Sequence, residues 1–175
     1  LMKKLIFLEL ILLFLATTFQ SDNPPGWYQQ TLPVNDQIND IFFLDSLNGW
    51  VVTYGRINPP DTAYIMNTTD GGTNWNLQFS FVNDFLAIQF TDENTGYVCG
   101  GFGIGTLFKT TNEGTNWNNI AFGSTNRFAD LCFISNDTGW VCSDDSFDGG
   151  VFKTTNGGIS WSQQLNLGIG NPLNI

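Results

Sequence analysis

From about residue 37 onward the chain falls into short pieces in which apolar and aromatic residues alternate with polar ones or run together. Stretches rich in Gly, Asn, Asp, Ser and Thr separate the pieces. Alternation of period two is the signature of a half-buried strand, short continuous apolar runs suit strands covered on both faces, and the intervening residues are those that make turns. In the first unit the strand signals fall at residues 40–44, 49–54, 63–67 and 75–78, and the same four-strand order returns twice. The pattern predicts antiparallel sheets packed face to face.

The recurrence has a measurable period. Thr68-Thr69-Asp70-Gly71-Gly72-Thr73-Asn74-Trp75, Thr110-Thr111-Asn112-Glu113-Gly114-Thr115-Asn116-Trp117 and Thr154-Thr155-Asn156-Gly157-Gly158-Ile159-Ser160-Trp161 share one pattern, with tryptophans 42 and 44 residues apart. A second motif runs in phase: Phe43-Leu44-Asp45-Ser46-Leu47-Asn48-Gly49-Trp50, then Phe90 to Tyr97 through Asn94-Thr95-Gly96, then Phe133 to Trp140 through Asp137-Thr138-Gly139. Trp75 precedes Gly96 by 21 residues, Trp117 precedes Gly139 by 22, and Trp27 precedes Gly49 by 22. Four strands per unit of about 43 residues is the blade of a β-propeller.

In the first motif the third residue, Asp70, Asn112 or Asn156, is expected to accept backbone N–H bonds two or so residues on as an Asx-turn, with a Gly behind it supplying positive φ. The tryptophan is expected to anchor the hairpin between sheets. Thr68, Asp70, Gly72, Trp75, Thr110, Asn112, Gly114, Trp117, Thr154, Asn156, Gly158 and Trp161 are therefore assigned structural roles, because a group repeated in every unit does not mark a single active site.

Thr-Thr-Asp-Gly-Gly-x-x-Trp together with Phe-x-Asp-x-x-x-Gly-Trp resembles the Asp-box (BNR) propellers, above all the photosystem II stability and assembly factor-like family, over everything from about Trp27 onward. The resemblance implies a seven-bladed ring. The expected organisation is a signal peptide at 1–21, a linker and closing outer strand at 22–36, blades at 37–79, 80–121 and 122–165, and the start of a truncated fourth blade at 166–175. Trp27, Tyr28, Gln29 and Gln30 sit where the fourth strand of a blade belongs, and Leu173-Asn174-Ile175 matches Leu131 and Ile88 in a first strand. An open arc with two unprotected edges is expected, and with it a tendency to aggregate when expressed alone.

Composition and charge change the picture at two points. Met2-Lys3-Lys4 followed by an apolar run from Leu5 to Ala16 has the form of a secretory signal peptide, too short for a membrane span and broken by Glu9. Without residues 1–21 the chain keeps 15 acidic and 4 basic residues, a formal charge of −11, which repels nucleic acid and anionic lipid. Export to the periplasm, cell surface or medium is expected, with membrane contact only through the uncleaved signal.

No histidine is present, so Ser-His-Asp and Cys-His chemistry is excluded and a zinc site is not expected. Cys99, Cys132 and Cys142 lack C-x-x-C spacing; Cys99 and Cys142 fall at equivalent repeat positions and are expected as small buried residues, with a disulfide as the alternative. Asp144, Asp145 and Asp148 form a solvated loop, with calcium as the alternative. Gly100-Gly101-Phe102-Gly103-Ile104-Gly105 lies between antiparallel strands and is expected as a turn, not a dinucleotide loop. The variable loops between second and third strands, residues 55–62, 100–105 and 143–150, are the candidate contact surfaces. Sialidases also carry Asp-boxes; the resemblance implies that such an enzyme would need three arginines, and only Arg56 and Arg127 follow the leader. The same count departs from the arginine-rich binding face that the photosystem family implies. The expectation is a non-enzymatic, cofactor-free scaffold for a protein or extracellular polymer, with a glycan-acting or glycan-binding propeller as the alternative.

Overall fold

Alternating side chains joined by tight turns leave each repeat one way to satisfy its backbone, which is to pair with the strand just completed. The computed structural model describes Gly26 and residues 28–55, 61–122, 127–143 and 149–166. Leu1–Thr31 and Leu32–Ile175 form two units. In the first, Tyr28, Gln29 and Gln30 lie in no strand, while Trp27 and the expected signal helix fall outside the described residues.

The second unit is all-β, as expected. It holds β1 (Gln37–Phe43), β2 (Gly49–Tyr54), β3 (Thr62–Thr68), β4 (Asn76–Val82), β5 (Phe85–Phe90), β6 (Gly96–Gly100), β7 (Thr106–Thr110), β8 (Asn118–Asn119), β9 (Phe128–Phe133), β10 (Gly139–Ser143), β11 (Gly150–Thr154) and β12 (Ser162–Asn166). They make three four-stranded sheets, β1-β2-β3-β4, β5-β6-β7-β8 and β9-β10-β11-β12, each in sequence order and antiparallel throughout. Each sheet is one blade of a partial propeller.

Register repeats as closely as sequence does. In every blade the first strand carries one unpaired residue, Asn39, Leu86 or Ala129, four positions before the motif phenylalanine. A bulge at that point increases local twist and re-aims the following side chains. Gln78 in β4 and Gln164 in β12 are a second matched pair of bulged residues.

The core lies between blades. Trp50, Val52, Ile65, Phe85, Phe90, Val98, Phe108 and Trp117 form one cluster between the first and second sheets, with Phe79 and Phe81 packed on it. Tyr97, Cys99, Leu107, Phe128, Leu131, Phe133 and Val141 form another between the second and third, with Phe122, Phe152 and Trp161 packed on it. Each such side chain contributes about 1.5–3 kcal/mol when fully buried. A third, smaller cluster of Val51, Met66 and Trp75 is covered in part by Leu32 and Val34.

Candidate functional site

One end of the sheets carries the motif turns, and they share one construction. Thr68 Oγ1 accepts from the backbone N–H of Gly72 at 2.8 Å, and Thr110 and Thr154 accept from Gly114 and Gly158 at 3.0 Å. Each threonine hydroxyl in turn donates to the Asx side chain two residues on, Asp70, Asn112 or Asn156. That Asx oxygen then accepts from the N–H four residues on, Asn74, Asn116 or Ser160. The acceptor thus reaches across the whole turn, further than a two-residue Asx-turn, because the buried threonine closes the near side.

Two successive residues in each turn are left-handed: Gly71 and Gly72, Glu113 and Gly114, Gly157 and Gly158. The first of each pair donates its N–H to the neighbouring turn of the same blade, at Leu47, Asn94 or Asp137. Those neighbouring turns are closed by Asp45, Asp92 and Ser135. Hydrogen bonds from Asn74, joined by Thr68, hold the Asp70 carboxyl below the ordinary range, and Asn48 does the same for Asp45.

The aromatic residues of the two motifs form one repeated joint. Phe43, Phe90 and Phe133 meet the tryptophan of their own blade edge-on, Trp75, Trp117 and Trp161, at 86°, 88° and 89°. Each phenylalanine ring also lies against Gly49, Gly96 or Gly139, where a β-carbon would strike it. The aromatic residue after that glycine reaches the next blade: Trp50 stacks on Phe90 and Tyr97 on Phe133, both at 3.6 Å.

The polar parts of the two joints differ. Between the second and third blades, Tyr97 Oη donates to Asn136 O at 2.6 Å, and Lys109 Nζ donates to Gly157 O at 3.1 Å while lying 5.2 Å over the Tyr97 ring. Burial, with Asp137 and Asp92 nearby, pushes the Tyr97 phenol up to about 12, and burial lowers Lys109. Asn136 also donates to Asp92, holding that carboxyl low.

Between the first and second blades, Asn67 stands in the lysine's place and Trp50 in the tyrosine's. Gln78 spans this joint, accepting from Trp50 Nε1 at 3.1 Å and donating to Glu113 O at 2.7 Å. A cleft of about 220 Å³ remains, walled by Asn48, Trp50, Asn67 and Thr69 on one side and by Glu93 and Glu113 on the other. Sequence reasoning missed this cleft. Its signal was the superposition of repeats, in which Asn67 faces Lys109 and Lys153, and Glu113 faces Gly71 and Gly157.

At the opposite end of the sheets, the expected turn at residues 100–105 connects antiparallel β6 and β7. Gly101 N donates to Asp84 O at 3.0 Å and Phe102 N to Asn83 Oδ1 at 2.6 Å, so the loop is fastened to the link between blades. Its tip presents Phe102 and Ile104, 65% and 67% exposed. Arg56, most of residues 55–62, and Asp144, Asp145 and Asp148 with their calcium alternative lie outside the described residues. Cys99 is buried, Cys142 half-buried and Cys132 exposed, and none of the three forms a disulfide. Among the described residues, no three His, Cys, Asp or Glu side chains are grouped to hold a metal.

The arrangement has solved counterparts. YCF48 bound to D1 peptide is 22% identical, with a TM-score of 0.63 over 75% of this chain and 41% of that one. YCF48 from Cyanidioschyzon merolae is also 22% identical, at 0.65 over 82% and 44%. The GH74 enzyme of Niastella koreensis is 17% identical, at 0.57 over 72% and 22%. These likenesses show the fold, and the chain spans less than half the length of each. No curated protein matches the sequence. The family model described as photosynthesis system II assembly factor YCF48 matches residues 20–175, covering all three blades, their paired motifs and the joints between them, and the chain belongs to that family.

Proposed function

We propose that this chain is part of an exported, non-enzymatic propeller scaffold that binds a polypeptide partner. The observation that carries the reading is membership of an assembly-factor family, a relative of which has been solved with a bound peptide. The surface supports it. Phe102 and Ile104 stand out from a fastened loop, and exposed apolar anchors on a rigid frame lose little conformational freedom on docking. The leader at residues 1–21 supports export.

A D1-derived peptide is the first probe, titrated into the intact protein by calorimetry. Saturable binding that weakens at least about tenfold in Phe102→Ala with Ile104→Ala supports the reading. Absence of binding to that peptide and to a broad peptide array, with hydrolysis of a fluorogenic sialoside above background, would replace it with the glycan-acting alternative.

A further inference from the structure

The two joints pose the same geometric problem and solve it with different charges. In the second joint, the Lys109 ammonium lies over Tyr97, accepted by Gly157 O. A side chain at 157 would begin 2.5 Å from Lys109 Nζ and 2.9 Å from Asn136 O, so the bare backbone of Gly157 lets the ammonium sit close without shifting. In the first joint both members of the pair are exchanged. The lysine becomes Asn67, too short to cross, and the glycine becomes Glu113, held at φ 60 where its two counterparts are Gly71 and Gly157. Glu93 adds a second exposed carboxylate on the same wall, where the second joint has Asn136.

The result is a Trp-walled cleft with two carboxylates at its mouth and no lysine or arginine among its lining residues. A cation beside an aromatic ring and a carboxylate gains from both, most when water is partly excluded. We propose that this cleft takes a lysine or arginine side chain of a polypeptide partner, replacing from outside the cation that the second joint supplies from within. Glu93 and Glu113 are both exposed on one wall of the cleft, so the visiting ammonium or guanidinium sits beside them. The occupant is a side chain, not a metal ion: the lining supplies two carboxylates, and among the described residues no three His, Cys, Asp or Glu side chains are grouped to hold a metal. The inference rests on the reading of a polypeptide partner; the cleft lies at the other end of the sheets from Phe102 and Ile104, so it is a second contact, and it names the chemistry brought there.

The test reads the cleft directly. N-acetyl-lysine methylamide, N-acetyl-arginine methylamide and the uncharged norleucine analogue are titrated into the isotope-labelled intact protein, following the Trp50 indole N–H and Asn67 side-chain signals. The two cationic probes are expected to shift both signals saturably and the norleucine probe to leave them in place. Glu93→Gln combined with Glu113→Gln is expected to weaken binding about tenfold, and raising the salt concentration to weaken it further. Asn67→Lys, which supplies the cation internally, is expected to abolish it. The remaining tryptophan indole signals report that each variant keeps its fold. No saturable shift, an equal shift with norleucine, or cationic binding that survives in both variants would overturn the proposal. If such a result accompanies intact binding of a peptide in calorimetry, the scaffold reading stands and only this cleft is dismissed.

Discussion

The joint between the first and second blades and the joint between the second and third share an apolar half and differ in the polar half. Trp50 on Phe90 and Tyr97 on Phe133 stack at the same 3.6 Å, and each phenylalanine meets its own tryptophan edge-on. Around that common centre, one joint is locked by Lys109, Tyr97 and Asn136, and the other is spanned by Gln78 beside an open acidic cleft. Apolar stacking fixes how the blades meet, while the polar rim is open to variation because solvent can satisfy whatever the neighbour does not.

The largest effect that tests this division is removal of the shared ring. Phe90→Ala and Phe133→Ala are each expected to cost about 3–5 kcal/mol in urea unfolding of the intact protein. A difference between them beyond about 1 kcal/mol would show that the apolar halves are not equivalent. Thr110→Val comes next: it strips the buried N–H of Gly114 of its acceptor and is expected to cost about 1–3 kcal/mol.

Tyr97→Phe removes only the bond to Asn136 O and is expected to cost about 1 kcal/mol near neutral pH. The phenol's affinity for its proton is raised on folding, from the ordinary 10.0 to about 12. The stability it confers is therefore complete below pH 10 and lost as pH climbs toward 12, where the unfolded phenol ionises first. The gap between wild type and Tyr97→Phe should narrow over that window, and a gap that stays constant to pH 12 would mean the hydroxyl is not shielded. The smallest effect has the opposite sign. Glu113→Gly, which makes the first joint's turn resemble its neighbours, is expected to stabilise by about 0.5–1 kcal/mol, because a non-glycine residue is strained in the left-handed region.

Much of the fold was legible because its signals are local. Alternation placed the strands, the Thr-Thr-Asx-Gly turn residues placed the hairpins, and the period placed the blades. Trp75 reads as a strand residue by its aromatic side chain, whereas the strand begins at Asn76. The turn's acceptor was expected too close in sequence, since the part taken by Thr68 Oγ1 shows only in three dimensions. Gly49, Gly96 and Gly139 were visible as repeated residues, but the ring that forbids a β-carbon there comes from six residues earlier in each motif. The cleft was hidden because it arises from two exchanges, Asn67 and Glu113, far apart in the chain and meaningful only when repeats are superposed and blades are set side by side.

The stacked rings carry a consequence for the gain or loss of whole units. Every unit carries an aromatic residue after the glycine and a phenylalanine before it, and the second unit uses both: Phe90 receives Trp50 and Tyr97 reaches Phe133. Insertion or removal of one whole unit would therefore leave no ring of its neighbours without a stacking partner. Where the forward ring is Tyr97 its hydroxyl joins the fastening, and where it is Trp50 the exchanges at Asn67 and Glu113 leave a cleft beside it.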